Sequence, residues 1–365
     1  MQRIRMCEKE SIPDIREQWI VEANDFLVEI KDLKTHFFTD EGLVRAVDGV
    51  DFGIRRGKTL CVVGESGSGK SITARSLMQL IDPPGRIVSG EVLYRRDASS
   101  IIDIIQLDPR GSDVRRIRGK EIAMIFQEPM TSLSPVHTIG NQIIEMIKLH
   151  LPISEKEARD RAIEMLRRVG MPKAEQRIDS FVFQLSGGMR QRAMIAMALA
   201  CEPKLLIADE PTTALDVTTQ AVILDLIGDL QRDIGMSVMF ITHDLGVVAE
   251  IADDVVVMYL GTVCESGGVD SIFHDPKHPY TRALLGSIPK MVDGETTRLT
   301  SIRGMVPHPF NRPRGCPFHP RCEEMIPGVC NSITPPIETI GDGRTVRCLL
   351  HSDHKHLMAE QEKVR

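Results

Sequence analysis

The sequence predicts an α/β fold built on a parallel sheet. Three short and almost entirely apolar runs are each followed by a helical pattern, and they are Thr59–Val63, Leu205–Ala208 and Val238–Ile241. Such runs are typical of strands that are buried on both faces of a parallel sheet. The strand-like pattern begins at Phe26 and alternates with helical segments to about Val263. We therefore expect one α/β domain over residues 26–265.

Composition excludes several other classes of protein. The chain has 365 residues, of which 42% are hydrophobic, and its formal net charge is −6. These values are typical of a folded globular protein, and the mild negative balance argues against a general nucleic-acid binder. No apolar run approaches the roughly 18–20 residues that span a bilayer, and the N-terminus is charged where a secretory signal would be apolar. We expect a cytoplasmic protein whose eight cysteines are reduced.

The remaining segments have different patterns. Residues 1–25 form a charged leader to which we assign no function, and residues 85–126 are predicted to form a peripheral β insertion. Residues 139–200 are mostly helical in pattern and lie within a helical subdomain at about 128–200. Proline is frequent after Gly267, so residues 266–365 are expected to form neither a regular sheet nor a helix bundle. Something other than a large apolar core should hold that region together.

A glycine-rich loop follows the first apolar run and precedes a predicted helix over Ile72–Leu80. Its sequence fits the pattern G-x-x-x-x-G-K-[ST], in which backbone N–H groups surround phosphate oxygens. The lysine adds positive charge near the β- and γ-phosphates, and the serine hydroxyl can bind Mg²⁺. The sequence therefore predicts a nucleoside triphosphate site. Its predicted contacts are Gly64, Glu65, Ser66, Gly67, Ser68, Gly69, Lys70, Ser71 and Ile72.

Two adjacent acids end the second apolar run. Asp209 is placed at the edge of the sheet beside the glycine-rich loop, where a carboxylate can bind Mg²⁺ directly or through water. Glu210 points in a different direction and suits a general base that removes a proton from the attacking water.

A second anion site is predicted where Leu185–Gln191 leads into a helix over Gln191–Ala200. Ser186 is a good helix N-cap, and Gly187 and Gly188 present backbone N–H groups at the positive end of the helix. One chain with two separate γ-phosphate sites is expected if each ATP lies between two protomers.

These motifs, together with Gln127, Ala214-Leu-Asp216 and His243, resemble the ATPase subunits of ABC transporters in order and spacing. The resemblance covers about residues 26–265 and implies a RecA-like P-loop core with a β subdomain and a helical subdomain. It also implies that Gln127 reaches Mg²⁺ and the attacking water, that Asp216 crosses the dimer interface, and that His243 binds the γ-phosphate. Met189 departs from the glutamine that most of the superfamily has there, which should leave ATP binding intact.

The same resemblance assigns adenine stacking to Phe37. Phe38 is its neighbour in sequence, and Phe37 as an ordinary core residue remains the alternative.

Four cysteines occur close together in the proline-rich region: Cys316, Cys322, Cys330 and Cys348. Their irregular spacing suits a [4Fe–4S] cluster better than the paired C-x₂-C ligands of ordinary zinc sites. Zinc, with His319 or His351 replacing a thiolate, and reduced thiols without a metal remain as alternatives.

Two C-terminal motifs, His278–Leu285 and Gly315–Cys322, resemble the oligopeptide/dipeptide importer branch of the family. That resemblance implies two membrane permeases, a second and non-identical ATPase subunit, an extracytoplasmic solute-binding protein and a location at the cytoplasmic face of the membrane, with no nucleic-acid partner. It also implies a structural role for the cluster. Nickel or an oligosaccharide as the transported solute, and a soluble ABC ATPase that acts on ribosomes or DNA, are the alternatives.

Overall fold

A computed structural model describes residues 25–97, 99–127, 132–213, 216–288, 302–341 and 343–353. Almost all of the predicted leader, and Ala214 and Leu215, lie outside the described residues. The strands are β1 (Phe26–Thr39), β2 (Gly42–Arg55), β3 (Thr59–Val63), β4 (Gly85–Arg95), β5 (Ile101–Asp103), β6 (Ile122–Ile125), β7 (Leu205–Asp209), β8 (Ser237–Ile241), β9 (Asp254–Tyr259), β10 (Thr262–Gly268), β11 (Glu338–Ile340) and β12 (Arg344–Val346). The helices are α1 (Lys70–Leu77), α2 (Ser112–Ile117), α3 (Ile139–His150), α4 (Glu155–Arg168), α5 (Ala174–Arg177), α6 (Gly187–Leu199), α7 (Val217–Ile234), α8 (Leu245–Ile251), α9 (Val269–His274) and α10 (Pro279–Gly286).

The larger sheet has the strand order β11-β12-β10-β9-β3-β8-β7-β6. Its pairings from β6 through β7, β8 and β3 to β9 are parallel, and the pairings from β9 through β10 and β12 to β11 are antiparallel. Every residue of β3, β7 and β8 is buried, as expected of strands covered on both faces. The prediction of a parallel sheet from the three apolar runs is confirmed.

A smaller antiparallel sheet has the strand order β2-β1-β4-β5. The expectation of a β insertion at residues 85–126 is therefore right for β4 and β5. It is wrong for β6, which is the edge strand of the larger sheet and pairs in parallel with β7. Ile122 and Ile125 are both fully buried there, Ile122 in the core shared with the small sheet and Ile125 in the core on the other face, as expected of a strand covered on both faces.

Helices dominate residues 139–200, as predicted. The Thr138 side chain caps α3, and Ser154 and Glu157 form a reciprocal capping box at the start of α4. Two predicted boundaries are shifted: α1 begins at Lys70 instead of Ile72, and α6 begins at Gly187 instead of Gln191. Gly69, in a left-handed conformation, precedes the first residue of α1, and the Ser186 side chain caps α6.

The C-terminal region is more regular than expected. It contains α9, α10 and a β11–β12 hairpin that extends the larger sheet at β10. Pro279 occupies the first turn of α10, where the missing N–H of proline does no harm. Phe318, Ile333 and Leu349 are buried and belong to the main hydrophobic core. The expectation that something other than a large apolar core holds this region is therefore wrong. The short helices and the hairpin make neither a separate sheet nor a helix bundle, as expected.

Among the described residues, no helix is both long enough and apolar enough to cross a bilayer.

Candidate functional site

The glycine-rich loop turns sharply between β3 and α1. Gly69 has a φ of +99°, and a Cβ atom at this position would lie 2.3 Å from the carbonyl oxygen of Ala46, so only glycine fits. The Lys70 ammonium donates to the carbonyl oxygens of Gly64 at 2.7 Å and Glu65 at 3.1 Å. Burial lowers the pKa of Lys70, and the carboxylates of the site act against that shift. The loop thus holds a buried cation beside inward-turned backbone.

Ser71 and Asp209 meet beside this loop. The Ser71 hydroxyl donates to Asp209 Oδ1 at 2.9 Å, and Asp209 is only 2% exposed. Burial raises the pKa of Asp209, and the hydrogen bond from Ser71 acts in the opposite direction. A hydroxyl and a carboxylate on neighbouring segments are oxygen donors that suit Mg²⁺. The structure therefore brings together two of the three predicted magnesium ligands.

Glu210 is the centre of a second cluster. Its Oε2 accepts hydrogen bonds from Gln127 Nε2 and from the Thr213 hydroxyl, each at 3.0 Å, and His243 Nδ1 lies 3.6 Å from its Oε1. The Glu210 backbone has a φ of +46°, a strained conformation that is stabilised by its N–H bond to the carbonyl oxygen of Ile241. The third predicted magnesium ligand, Gln127, thus contacts the predicted base. We did not predict Thr213, although its position three residues after Glu210 was a usable signal.

All of these residues follow the carboxyl ends of parallel strands. Gly64 follows β3, Gln127 follows β6, Glu210 follows β7 and His243 follows β8. In open α/β sheets this edge is where ligands bind. Predicted catalytic residues that are far apart in sequence therefore share one edge of the sheet.

Ser186 and Asp216 have a different placement. Ser186 is the N-cap of α6, and its hydroxyl accepts from the Met189 N–H at 3.4 Å, while Gly187 is exposed. Asp216 caps α7 by accepting from the Thr219 N–H at 3.0 Å and is exposed. In the described part of the chain, no hydrogen bond of Ser186 reaches the glycine-rich loop. Within one chain these residues are not assembled with Lys70.

The two adjacent phenylalanines of β1 differ in exposure. Phe37 is half-buried, and its ring packs so closely on Gly85 that a Cβ atom there would lie 2.6 Å from it. Phe38 is 42% exposed, and the Arg86 guanidinium lies 4.0 Å from the centre of its ring. The predicted adenine contact of Phe37 remains a prediction.

The four C-terminal cysteines line one small cavity, which they share with His278, Phe318 and Leu349, among other residues. Burial raises the pKa of Cys316 to about 11 and that of Cys348 to about 12, so both thiols are protonated at neutral pH. Over the described ranges, no three His, Cys, Asp or Glu side chains form a group that could hold a metal ion. The two histidines of the zinc alternative instead lie against backbone carbonyls, His319 on Cys316 and His351 on Lys277.

The C-terminal region also touches the glycine-rich loop. The Arg321 guanidinium donates to both carboxylate oxygens of Glu65, at 2.6 and 3.0 Å. The Tyr280 hydroxyl accepts from the Glu65 N–H at 2.9 Å. Sequence reasoning missed this contact. Arg321 and Tyr280 do lie in the two motifs that we singled out, but neither motif indicates a partner 256 or 215 residues away.

Comparisons with known proteins agree with these observations. Residues 47–213 match a family described as "ABC transporter", and residues 264–330 match one described as "Oligopeptide/dipeptide transporter, C-terminal region". The chain is 51% identical to the oligopeptide transport ATP-binding protein AppD of Bacillus subtilis over 90% of this chain and 97% of that protein. It is 47% identical to the dipeptide transport ATP-binding protein DppD of Haemophilus influenzae, over 88% of this chain and 94% of that protein.

A solved structure shows the same likeness in three dimensions. The ATP-binding cassette MJ0796, described as a dimer in a post-hydrolysis state bound to ADP and Pi, is similar with a TM-score of 0.59 and 28% identity. The match covers 66% of this chain and 98% of that one.

Proposed function

Because this chain belongs to the family of ABC transporter ATP-binding subunits, in the branch that has an oligopeptide/dipeptide-type C-terminal region, we propose that it hydrolyses ATP to drive the import of dipeptides and oligopeptides. The observation that carries this proposal is the convergence of Lys70, Asp209 and Glu210 at one edge of the parallel sheet. Residues 26–265 are the proposed ATPase domain, with a helical subdomain at about 128–200. Residues 266–365 are the proposed C-terminal region.

The proposed chemistry needs few groups. Backbone N–H groups of residues 64–72 and the Lys70 ammonium would bind the triphosphate, and Ser71 and Asp209 would hold Mg²⁺, whose charge would offset that of the phosphates. Glu210 accepts a proton from the attacking water. Its contact with Gln127 at 3.0 Å holds that carboxylate, and His243, whose Nδ1 lies 3.6 Å from Glu210 Oε1, would bind the γ-phosphate.

A pair of ATPase subunits explains the residues that one chain leaves apart. Ser186, Gly187 and Gly188 lie at the N-terminus of α6, where backbone N–H groups would bind the phosphates of an ATP held by a partner subunit. Asp216, exposed at the start of α7, would cross the same interface. We propose that the partner is a second, non-identical ATPase subunit.

The other proposed partners lie in and beyond the membrane. Two permeases would form the translocation path, and an extracytoplasmic solute-binding protein would deliver the peptide. The subunit would sit at the cytoplasmic face as a peripheral protein. The printed names of the relatives AppD and DppD support peptide transport.

We further propose that the cysteines at 316, 322, 330 and 348 hold a structural [4Fe–4S] cluster. Thiolates are the donors that such a cluster requires, and each would bind a different iron, so the four need not converge on one point. When bound, the cluster would crosslink four segments of the C-terminal region. We expect about four iron and four sulfide ions per chain after anaerobic purification. Zinc without sulfide, or no metal, would overturn the assignment. For serine variants of the four cysteines, Cys201→Ser is a matched control, because Cys201 is buried elsewhere.

One experiment tests the transport assignment. The tagged subunit is purified from native membranes in mild detergent, and every co-purifying chain and small molecule is identified. We expect two permeases, a second ATPase, and peptides on the solute-binding protein. Nickel or an oligosaccharide on that protein would change the assigned solute. Ribosomal proteins or nucleic acid without a permease would overturn the transport assignment and leave the ATPase assignment standing.

A further inference from the structure

We propose that Arg321 and Tyr280 are positioning residues of the ATP site, although both lie in the C-terminal region. They hold Glu65, the second residue of the glycine-rich loop, by its side chain and by its backbone. The inference rests on the proposed ATP site and does not depend on the transported solute. It gives the C-terminal region a direct role in nucleotide binding.

The contact with the Glu65 side chain is a fork of two parallel hydrogen bonds. Arg321 Nη1 donates to Oε2 at 2.6 Å, and Nη2 donates to Oε1 at 3.0 Å. Paired bonds of this kind are strong and fix the orientation of both groups. The Arg321 side chain is 4% exposed and that of Glu65 is 26% exposed, so water screens the pair only partly.

The Arg321 side chain is itself held in place. Its Nε donates to the carbonyl oxygen of Arg303 at 3.0 Å, and its guanidinium lies 5.8 Å from the centre of the Tyr259 ring. Tyr259 packs against Tyr280 and Phe318, with ring centres 4.8 and 5.3 Å away. Tyr280 is therefore part of a packed aromatic cluster and Arg321 lies against it, so the packing restricts the side-chain conformations of both groups that reach Glu65.

Charge explains why the loop needs such a partner. A carboxylate in a loop that binds a triphosphate repels the ligand unless a cation neutralises it. Arg321 supplies that cation from outside the loop. Tyr280 accepts the Glu65 N–H and so fixes the orientation of the peptide unit that follows Gly64. Both contacts organise the loop before ATP arrives.

Arg321 lies in the loop between two of the four C-terminal cysteines. It directly precedes Cys322 and follows Cys316 by five residues, so the loop between these two cysteines carries the arginine to Glu65. Any change that unfolds the loop also removes the partner of Glu65. The state of the cysteine loop is thereby coupled to ATP affinity.

The test is a double-mutant cycle on ATP affinity in the full-length subunit. Arg321→Met leaves Glu65 unpaired, and we expect the Kd for ATP and the KM to rise about tenfold, with kcat changed less than about twofold. In an E65Q background the same replacement should raise Kd less than about twofold, because no carboxylate is left unpaired. Arg321→Lys, which restores the charge, should recover most of the affinity.

Two controls separate positioning from folding. Arg282→Met removes an arginine of the same region that pairs with Glu324 at 2.9 Å and is 42% exposed, and it should not change Kd. Tyr280→Phe removes only the hydroxyl and should raise Kd by a smaller factor than Arg321→Met. Urea unfolding of each variant reports any general loss of stability.

Three outcomes would overturn the inference. The first is an unchanged Kd in Arg321→Met. The second is an equal rise in Kd when Arg321→Met is made in the unmodified protein and in the E65Q background. The third is the same rise in Kd in Arg282→Met. If the unmodified subunit fails to bind ATP at all, the proposed ATP site itself is wrong, which is a different result from the failure of this inference.

Discussion

Replacing the proposed base by its amide, Glu210→Gln, separates ATP binding from ATP hydrolysis. The amide has almost the same shape as the carboxylate, and its oxygen can still accept from Gln127 and Thr213 as Glu210 Oε2 does at 3.0 Å. The amide group cannot accept a proton from water at neutral pH. The contacts of the loop and of Ser71 with Asp209 are untouched.

The expected magnitudes follow from these contacts. Loss of a positioned general base lowers kcat by about 10²–10⁴-fold, which corresponds to roughly 3–5 kcal/mol in activation free energy. The free energy of unfolding should change by less than about 1 kcal/mol, because the two retained hydrogen bonds are of ordinary strength. ATP affinity should stay within about threefold of the unmodified protein, since no phosphate contact is removed.

The assay measures phosphate release under saturating ATP, together with equilibrium ATP binding to the same preparation. Glu91→Gln makes the same chemical change at an exposed position in β4 and should keep normal kcat. Normal turnover in Glu210→Gln would refute the assignment of the base. Loss of ATP binding in that variant would show that Glu210 acts on the nucleotide and not on water.

Three further predictions concern burial and the thiols. Asp209→Asn should abolish magnesium-dependent turnover yet stabilise the nucleotide-free protein in urea at pH 7. Burial raises the pKa of Asp209, so the ionised carboxylate destabilises the folded state at neutral pH, and the neutral amide removes that cost. Equal or lower stability of the variant would contradict this sign. Phe318→Ala should lower the free energy of unfolding by about 3–5 kcal/mol in urea titrations, since the ring is 3% exposed and packs on Tyr259 and Tyr280; a loss below about 1 kcal/mol would contradict it. Cys348→Ser should remove iron and its visible absorption from the anaerobic protein, and retention of full iron content would exclude that thiol as a ligand.

The parts of the fold that sequence reasoning recovered depend on local patterns. The strands β3, β7 and β8 are continuous apolar runs, and the glycine-rich loop has one spacing that few other structures use. Thr138 and Ser154 are ordinary N-caps that begin predicted helices. In each case the signal lies within a few residues of the element that it predicts.

The parts that sequence reasoning missed depend on contacts between distant segments. β6 is a four-residue apolar run, and only its pairing with β7 decides which sheet it joins. The bond of Arg321 to Glu65 spans 256 residues and has no local pattern. Phe37 and Phe38 are chemically equal in sequence. Their exposure differs because successive side chains of a strand point to opposite faces, which places the first ring on Gly85 and leaves the second 42% exposed beside Arg86.

The pairing of β12 with β10 has a consequence for synthesis on the ribosome. β10 ends at Gly268 and β12 begins at Arg344, so about 75 residues must emerge before the edge of the sheet is covered. At roughly 5–20 residues per second this takes several seconds, during which the nascent chain exposes an unpaired strand edge. A chain that stalls or is cut before Arg344 keeps that edge open. Aggregation and chaperone binding should therefore increase sharply in C-terminal truncations that remove β12.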